Sequence, residues 1–104
     1  MIRELIRENK GKYFLQEVIK SKKDLENKDS IGRTVLIESF QLNRYFHAKI
    51  LLDQGADPSV VWDNKSIANL AIQGQHMEMI KLAAMFQPGM EALNHISNKC
   101  LTNN

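Results

Sequence analysis

The chain has a single cysteine, Cys100, among its 104 residues. A lone thiol closes no internal disulfide, which excludes a small secreted disulfide scaffold. There is no apolar segment long enough to span a membrane. The start, Met1-Ile2-Arg3-Glu4-Leu5-Ile6-Arg7-Glu8-Asn9, carries charges every few residues and no apolar signal core. These absences predict a cytoplasmic protein with no membrane partner. No Gly-rich phosphate loop follows a strand, and no strand is evident. His47, His76 and His95 stand more than four residues from one another and from Cys100, a spacing unlike a zinc site. Cys100 lies in a polar tail with no base beside it, so it does not read as a nucleophile. The expectation is a non-enzyme with no catalytic, cofactor or metal site.

Charge is also sparse in pattern. The formal net charge is only +2. Through Thr34 there are nine Lys/Arg against six Asp/Glu, +3; the remainder has five against six, −1. This tilt is no nucleic-acid footprint. Lys20, Lys22 and Lys23 form a short cluster at a helix end, where the helix dipole favours cations. Acidic clusters that would mimic a nucleic acid are absent.

What is present is ordinary globular material, 43% hydrophobic and 25% charged. The size suits one domain with one modest core. The most ordered stretch is Asp29–Pro58. Asp29 and Gly32 suit a tight turn. Thr34 suits a helix N-cap. Leu36, Ile37 and Phe40 mark the inner face of a first helix; Tyr45, Ala48, Leu51 and Leu52 mark a second. Gly55 and Pro58 supply the stop.

Similar layouts flank it. Ile2, Leu5, Ile6 and Asn9 predict a short amphipathic helix, interrupted at Gly11. Phe14, Leu15, Val18 and Ile19 then form one helical stripe. After Val60-Val61-Trp62-Asp63, Ser66 offers another cap, followed by a face of Ile67, Leu70 and Ala71. Gly74-Gln75-His76 reads as a turn, with His76 bonding the loop at a helix start. Met77, Ile80, Lys81, Leu82 and Ala84 carry the next helix. Pro88-Gly89 punctuates it, and Met90, Leu93 and Ile96 suggest a last short one.

Laid on itself, the chain places Gly32-Arg33-Thr34 against Asn64-Lys65-Ser66 at an offset of 32, and Lys22-Lys23-Asp24-Leu25 against Gly55-Ala56-Asp57-Pro58 at 33. This period and layout, over roughly residues 3 to 86, resemble the ankyrin-repeat family. The matches are Gly32, Thr34, Leu36, Leu51, Leu52, Gly55, Ala56 and Asp57, with His76, Glu78 and Lys81 in the following unit. Val35 and Ile67 replace the family's proline, and Ile37 replaces its histidine; Asn69 with Ser66 offers a polar contact there.

The resemblance implies an all-α solenoid of stacked helix–turn–helix units, with short β-turn-like tips and a C-terminal capping helix. The units would run about 1–29, 30–61 and 62–87, with a cap at 88–104, in one domain over 1–104. One unit cannot bury its apolar face alone, so three share a continuous core. A charge at Leu51 is expected to unfold it.

The resemblance further implies a protein partner, of unnamed identity, at the turn tips and exposed ends of the first helices. Those positions are Ser30, Ile31, Arg33, Gln41, Leu42, Trp62, Asp63, Lys65 and Gln73. Trp and Arg are frequent interface anchors. Alternatively, Trp62 folds onto the neighbouring unit as packing. As an anchor, Trp62→Ala would weaken partner binding by about 2 kcal/mol with little loss of stability. Phe46 occupies a usually polar position, so it either packs on the first unit or lies exposed on the back. His47 reads as a partly buried, locally satisfied histidine. The protein would be a monomer in isolation, and a small free-standing binder suits an inhibitor or adaptor, such as a bacterial immunity protein that blocks a toxin. Two alternatives stay open: a helical nucleic-acid binder using the basic first unit, and a repeat fragment of a larger regulatory protein.

Overall fold

In a computed structural model, residues 2–86 are described. The expected cap at 88–104, with His95 and Cys100, lies outside them. The described chain is predominantly helical. Its α-helices are α1 (Ile2–Arg7), α2 (Phe14–Lys20), α3 (Val35–Gln41), α4 (Tyr45–Asp53), α5 (Ile67–Gly74) and α6 (Met77–Phe86). A short 3-10 turn spans Lys22–Asp24.

Local chemistry sets these boundaries. The Thr34 hydroxyl accepts from the Ile37 N–H, and the Ser66 hydroxyl from the Asn69 N–H, so each caps its helix start. His76 Nδ1 accepts from the Met79 N–H at 3.4 Å, a role close to the one expected of it. Helices α1 and α3 end alike. Asn9 and Asn43 both take φ of 56°, while the next N–H, from Lys10 or Arg44, reaches back to Leu5 or Ser39. Asparagine tolerates this left-handed stop.

The helices pair consecutively and then stack. α1, α3 and α5 pack side by side as one layer; α2 packs on α4 and α4 on α6 as a second. Between the layers lies one core. It includes Ile6, Phe14, Val18, Leu36, Phe40, Leu51, Ile67, Leu70, Met79 and Leu82. None of these helices exceeds ten residues, too short to hold well alone, so the shared core is what stabilises them.

Three expectations need correction. A strand pair does occur: Val61–Trp62 and Lys65–Ser66 form a two-residue antiparallel hairpin, β1 and β2. Asp63 and Asn64 between them have φ of 54° and 59°. Two successive positive φ values match the twist of a tight hairpin, which Asp and Asn tolerate better than most residues. In α2 the buried stripe is only Phe14 and Val18, while Leu15 and Ile19 are exposed. Helix α6 does carry Met77, Ile80, Lys81, Leu82 and Ala84, and its buried face centres on Met79, Leu82 and Ala83. His47 is buried rather than partly so, for the reason given below.

Candidate groove and its supporting network

The first tip is built on Asp29. Its Oδ1 accepts from the Ile31 N–H at 3.1 Å and the Arg33 N–H at 2.7 Å. Its Oδ2 accepts from Arg33 Nε at 2.9 Å. The Arg33 backbone N–H, then its guanidinium and the Ile31 N–H, hold the Asp29 carboxyl below its ordinary range, outweighing the opposing effect of burial. Gly32 closes the turn at φ +88°, where a Cβ would be strained.

Arg33 links this tip to α3. Its Nη1 donates to Gln41 Oε1 at 2.9 Å. That fixes the Gln41 amide with its oxygen toward Arg33.

The second tip is the Val61–Ser66 hairpin. Trp62 is half-buried, and its Nε1–H donates to the Ile31 carbonyl at 2.7 Å. Its ring edge also lies beside Gly32. Trp62 therefore links one tip to the other, as the packing alternative expected, and Trp62→Ala should cost stability as well as any contact. Ile31 remains exposed. Lys65 Nζ stands 3.6 Å from Asp63 Oδ2.

Below the hairpin lies a groove of about 390 Å³. Gln41, Trp62, Asp63, Lys65, Leu70, Gln73 and Gly74 line it. Five of the nine expected residues thus come together: Gln41, Trp62, Asp63, Lys65 and Gln73. Ser30, Ile31 and Arg33 sit on the adjoining tip rather than in the groove. Leu42, exposed as the C-cap of α3, does not line it either. Leu70 and Gly74 were missed. Leu70 was assigned wholly to the core, yet the open end of the cleft reaches it.

A second feature was not foreseen. Glu38, on α3, is 1% exposed and sits among arginines. Arg7 donates from Nε to Oε2 at 3.0 Å and from Nη2 to Oε1 at 3.2 Å. Arg3 Nη1 donates to Oε1, and its Nη2 donates to the carbonyls of Asn27 at 2.9 Å and Arg33 at 3.1 Å. The bonds to Glu38, and then its charge, push the Arg7 guanidinium above its ordinary value. The available signal was Arg3 and Arg7, spaced one turn apart on α1, which present two cations to one neighbour.

Further along the same junction, Arg44 Nε donates to the Ile6 carbonyl at 2.8 Å and Nη2 to the Arg7 carbonyl at 3.0 Å. Both carbonyls lie at the end of α1, and that of Ile6 also accepts from the Asn9 N–H at 3.1 Å. His47 Nε2 lies 2.6 Å from the Lys10 carbonyl, which makes that nitrogen the donor. Its Nδ1 has no partner among the described residues. Phe14 and Phe46 flank the ring edge-on, at 4.4 and 5.7 Å between centroids. These ring contacts and the Lys10 bond bury the histidine, where the sequence suggested only partial burial.

Among the described residues, no group of three His, Cys, Asp or Glu side chains comes together to hold a metal ion. Nor is any helix there long and apolar enough to cross a membrane. No family model, curated protein or solved structure matches the chain.

Proposed function

We propose that the chain is a non-enzymatic protein-binding module of the ankyrin-repeat kind. Its units at about 1–29, 30–61 and 62–87 stack through the layer of α1, α3 and α5 and the layer of α2, α4 and α6. The partner protein seats in the groove beside the two tips. The observation that carries this reading is the convergence of Gln41, Trp62, Asp63, Lys65 and Gln73 on one cleft.

The cleft has the composition of an interface. An indole and the Leu70 side chain give it an apolar floor; two amides and an Asp–Lys pair give it a polar rim. The Asp29 and Trp62 bonds hold the walls in place before binding, which lowers the ordering cost of association. An adaptor or inhibitor acting by steric occlusion needs nothing further, and a toxin-blocking immunity protein is one instance of that role.

The test is site-specific photocrosslinking in the host cell. A crosslinker replaces Gln73 in the groove or, as a control, exposed Asp53 at the end of α4. The reading expects one protein captured from position 73 and not from 53. Equal capture from both, or capture from 53 alone, would overturn it.

A further inference from the structure

Helix α1 is joined to α2 by residues 8–13, and the side-chain bonds that hold it reach beyond them. Arg3 and Arg7 donate to Glu38, and Arg3 donates also to the Asn27 and Arg33 carbonyls. Arg44 donates to the carbonyls of Ile6 and Arg7. Ile2 and Ile6 are buried where α1 packs against α2 and α3. A second copy of the chain presents the same groups in the same places. Its α1 therefore fits this seat, and this α1 fits the other.

What differs between the two arrangements is the connector. Closed, it turns the chain back between α1 and α2, and the turn is costly at one residue. Tyr13 has φ of 67°, a left-handed conformation in which a bulky side chain is an outlier. Its side chain is 61% exposed, with Lys12 Nζ 5.3 Å from the ring centre, so no core packing offsets the cost. Asn9, at φ of 56°, tolerates the same region. Local bonds oppose the strain: the Lys10 N–H to the Leu5 carbonyl at 2.8 Å, and His47 Nε2 to the Lys10 carbonyl at 2.6 Å. Phe46 adds a contact. It is 55% exposed, yet its ring rests on Gly11, where a Cβ would come within 2.9 Å. Both alternatives for Phe46 therefore hold: it packs on the first unit and still faces solvent. A short loop held closed by a few bonds against a standing strain is the kind that opens and lets elements exchange.

We propose that α1 is an exchangeable arm whose alternative seat is a second copy of this chain. Two molecules trade α1 across opened connectors, so that Arg3 and Arg7 of each sit on Glu38 of the other. Extended, the connector spans up to about 20 Å, which lets α1 leave one seat for another. Charge complementarity selects this occupant. Glu38 is 1% exposed, and the exchange keeps both guanidiniums on it. A helix without two arginines one turn apart would leave that carboxylate buried and under-paired. The exchange does not depend on the groove, whose lining residues all lie beyond the connector. It would set two grooves in one assembly, so a partner with two sites would be held bivalently.

The test is refolding of the full chain at submillimolar concentration, read by native mass spectrometry and light scattering. Wild type is expected to give a dimer beside the monomer. Two variants then ask whether α1 makes the contact. Arg3→Glu/Arg7→Glu sets acidic groups against Glu38, and Glu38→Lys sets a cation against Arg3 and Arg7, so each spoils its own seat. Refolded separately, neither should dimerise. Refolded together, they should form a mixed dimer, because exchange pairs opposite charges at both seats. Tyr13→Asn leaves the seat intact and relieves the connector. Its dimer should have a dissociation constant at least about tenfold above that of wild type, with helicity unchanged by circular dichroism. Three outcomes would each overturn the proposal: a wild type that stays monomeric, a mixture without mixed dimer where wild type dimerises, or a dimer equally tight in Tyr13→Asn.

Discussion

The two junctions within the α1–α3–α5 layer are built on different physics. Where α1 meets α3, the bonds are polar and charged: Arg3 and Arg7 on Glu38, Arg44 on the end of α1, His47 on the Lys10 carbonyl. Where α3 meets α5, the buried residues are largely apolar, and the cross-junction hydrogen bond at the tips is Trp62 to Ile31. Apolar packing is non-directional and tolerates sliding. Fork-shaped guanidinium bonds fix one register. The second junction therefore supplies cohesion, and the first supplies placement.

The sharpest way to break this contrast is to damage each side and vary salt. Ile67→Ala deletes a fully buried side chain of α5 and should cost about 2–5 kcal/mol. Urea midpoints should fall by a similar amount in low and high salt. Glu38→Gln should cost about 2–3 kcal/mol, less than a wholly buried pair, because Arg3 and Arg7 keep partial access to water. That loss should shrink in about 1 M salt, where charges are screened within a few ångströms. Equal salt response in the two variants would erase the distinction between junctions.

Two smaller changes sharpen it. Asp29→Asn tests the first tip. The folded Asp29 carboxyl lies below its ordinary range, so its stabilisation is present above the unfolded value of about 4 and is lost as pH falls through the folded value. Wild type should exceed the variant at neutral pH, and the gap should close on acidification. A gap that stayed constant with pH would rule out the carboxylate as its cause. Last, Trp62→Phe keeps the ring and removes the N–H that reaches Ile31, so thermal unfolding should report a loss of about 0.5–1.5 kcal/mol.

Much of the backbone plan was legible because it rests on local chemistry. Thr34 and Ser66 cap helices through their own hydroxyls, and Gly32 and Gly55 take the positive φ their turns require. The grouping of Gln41 with Gln73 was also legible, since residues 32 apart in a near-periodic chain fall on neighbouring elements. Glu38 was not. Its burial depends on two arginines more than thirty residues upstream, and a single carboxylate in an amphipathic helix carries no mark of that. Leu15 and Ile19 misled for the opposite reason. Helical spacing places them beside Phe14 and Val18, but among the described residues no neighbouring element covers the far flank of that stripe. Hairpin β1–β2 escaped notice because two residues are too few to show alternation.

Arg44 has a consequence for the order in which the chain matures. The helix end it binds was made 37 and 38 residues earlier, so α1 leaves the ribosome without Arg44 on that end and with its arginines lacking Glu38. Synthesis runs from the first unit forward, while the bonds that hold that unit run from the second unit back. A nascent chain stalled before Glu38 should accordingly remain sensitive to protease over its first unit. Protection should arrive only after Arg44 has cleared the exit tunnel. The first unit is thus made ahead of the bonds that set it.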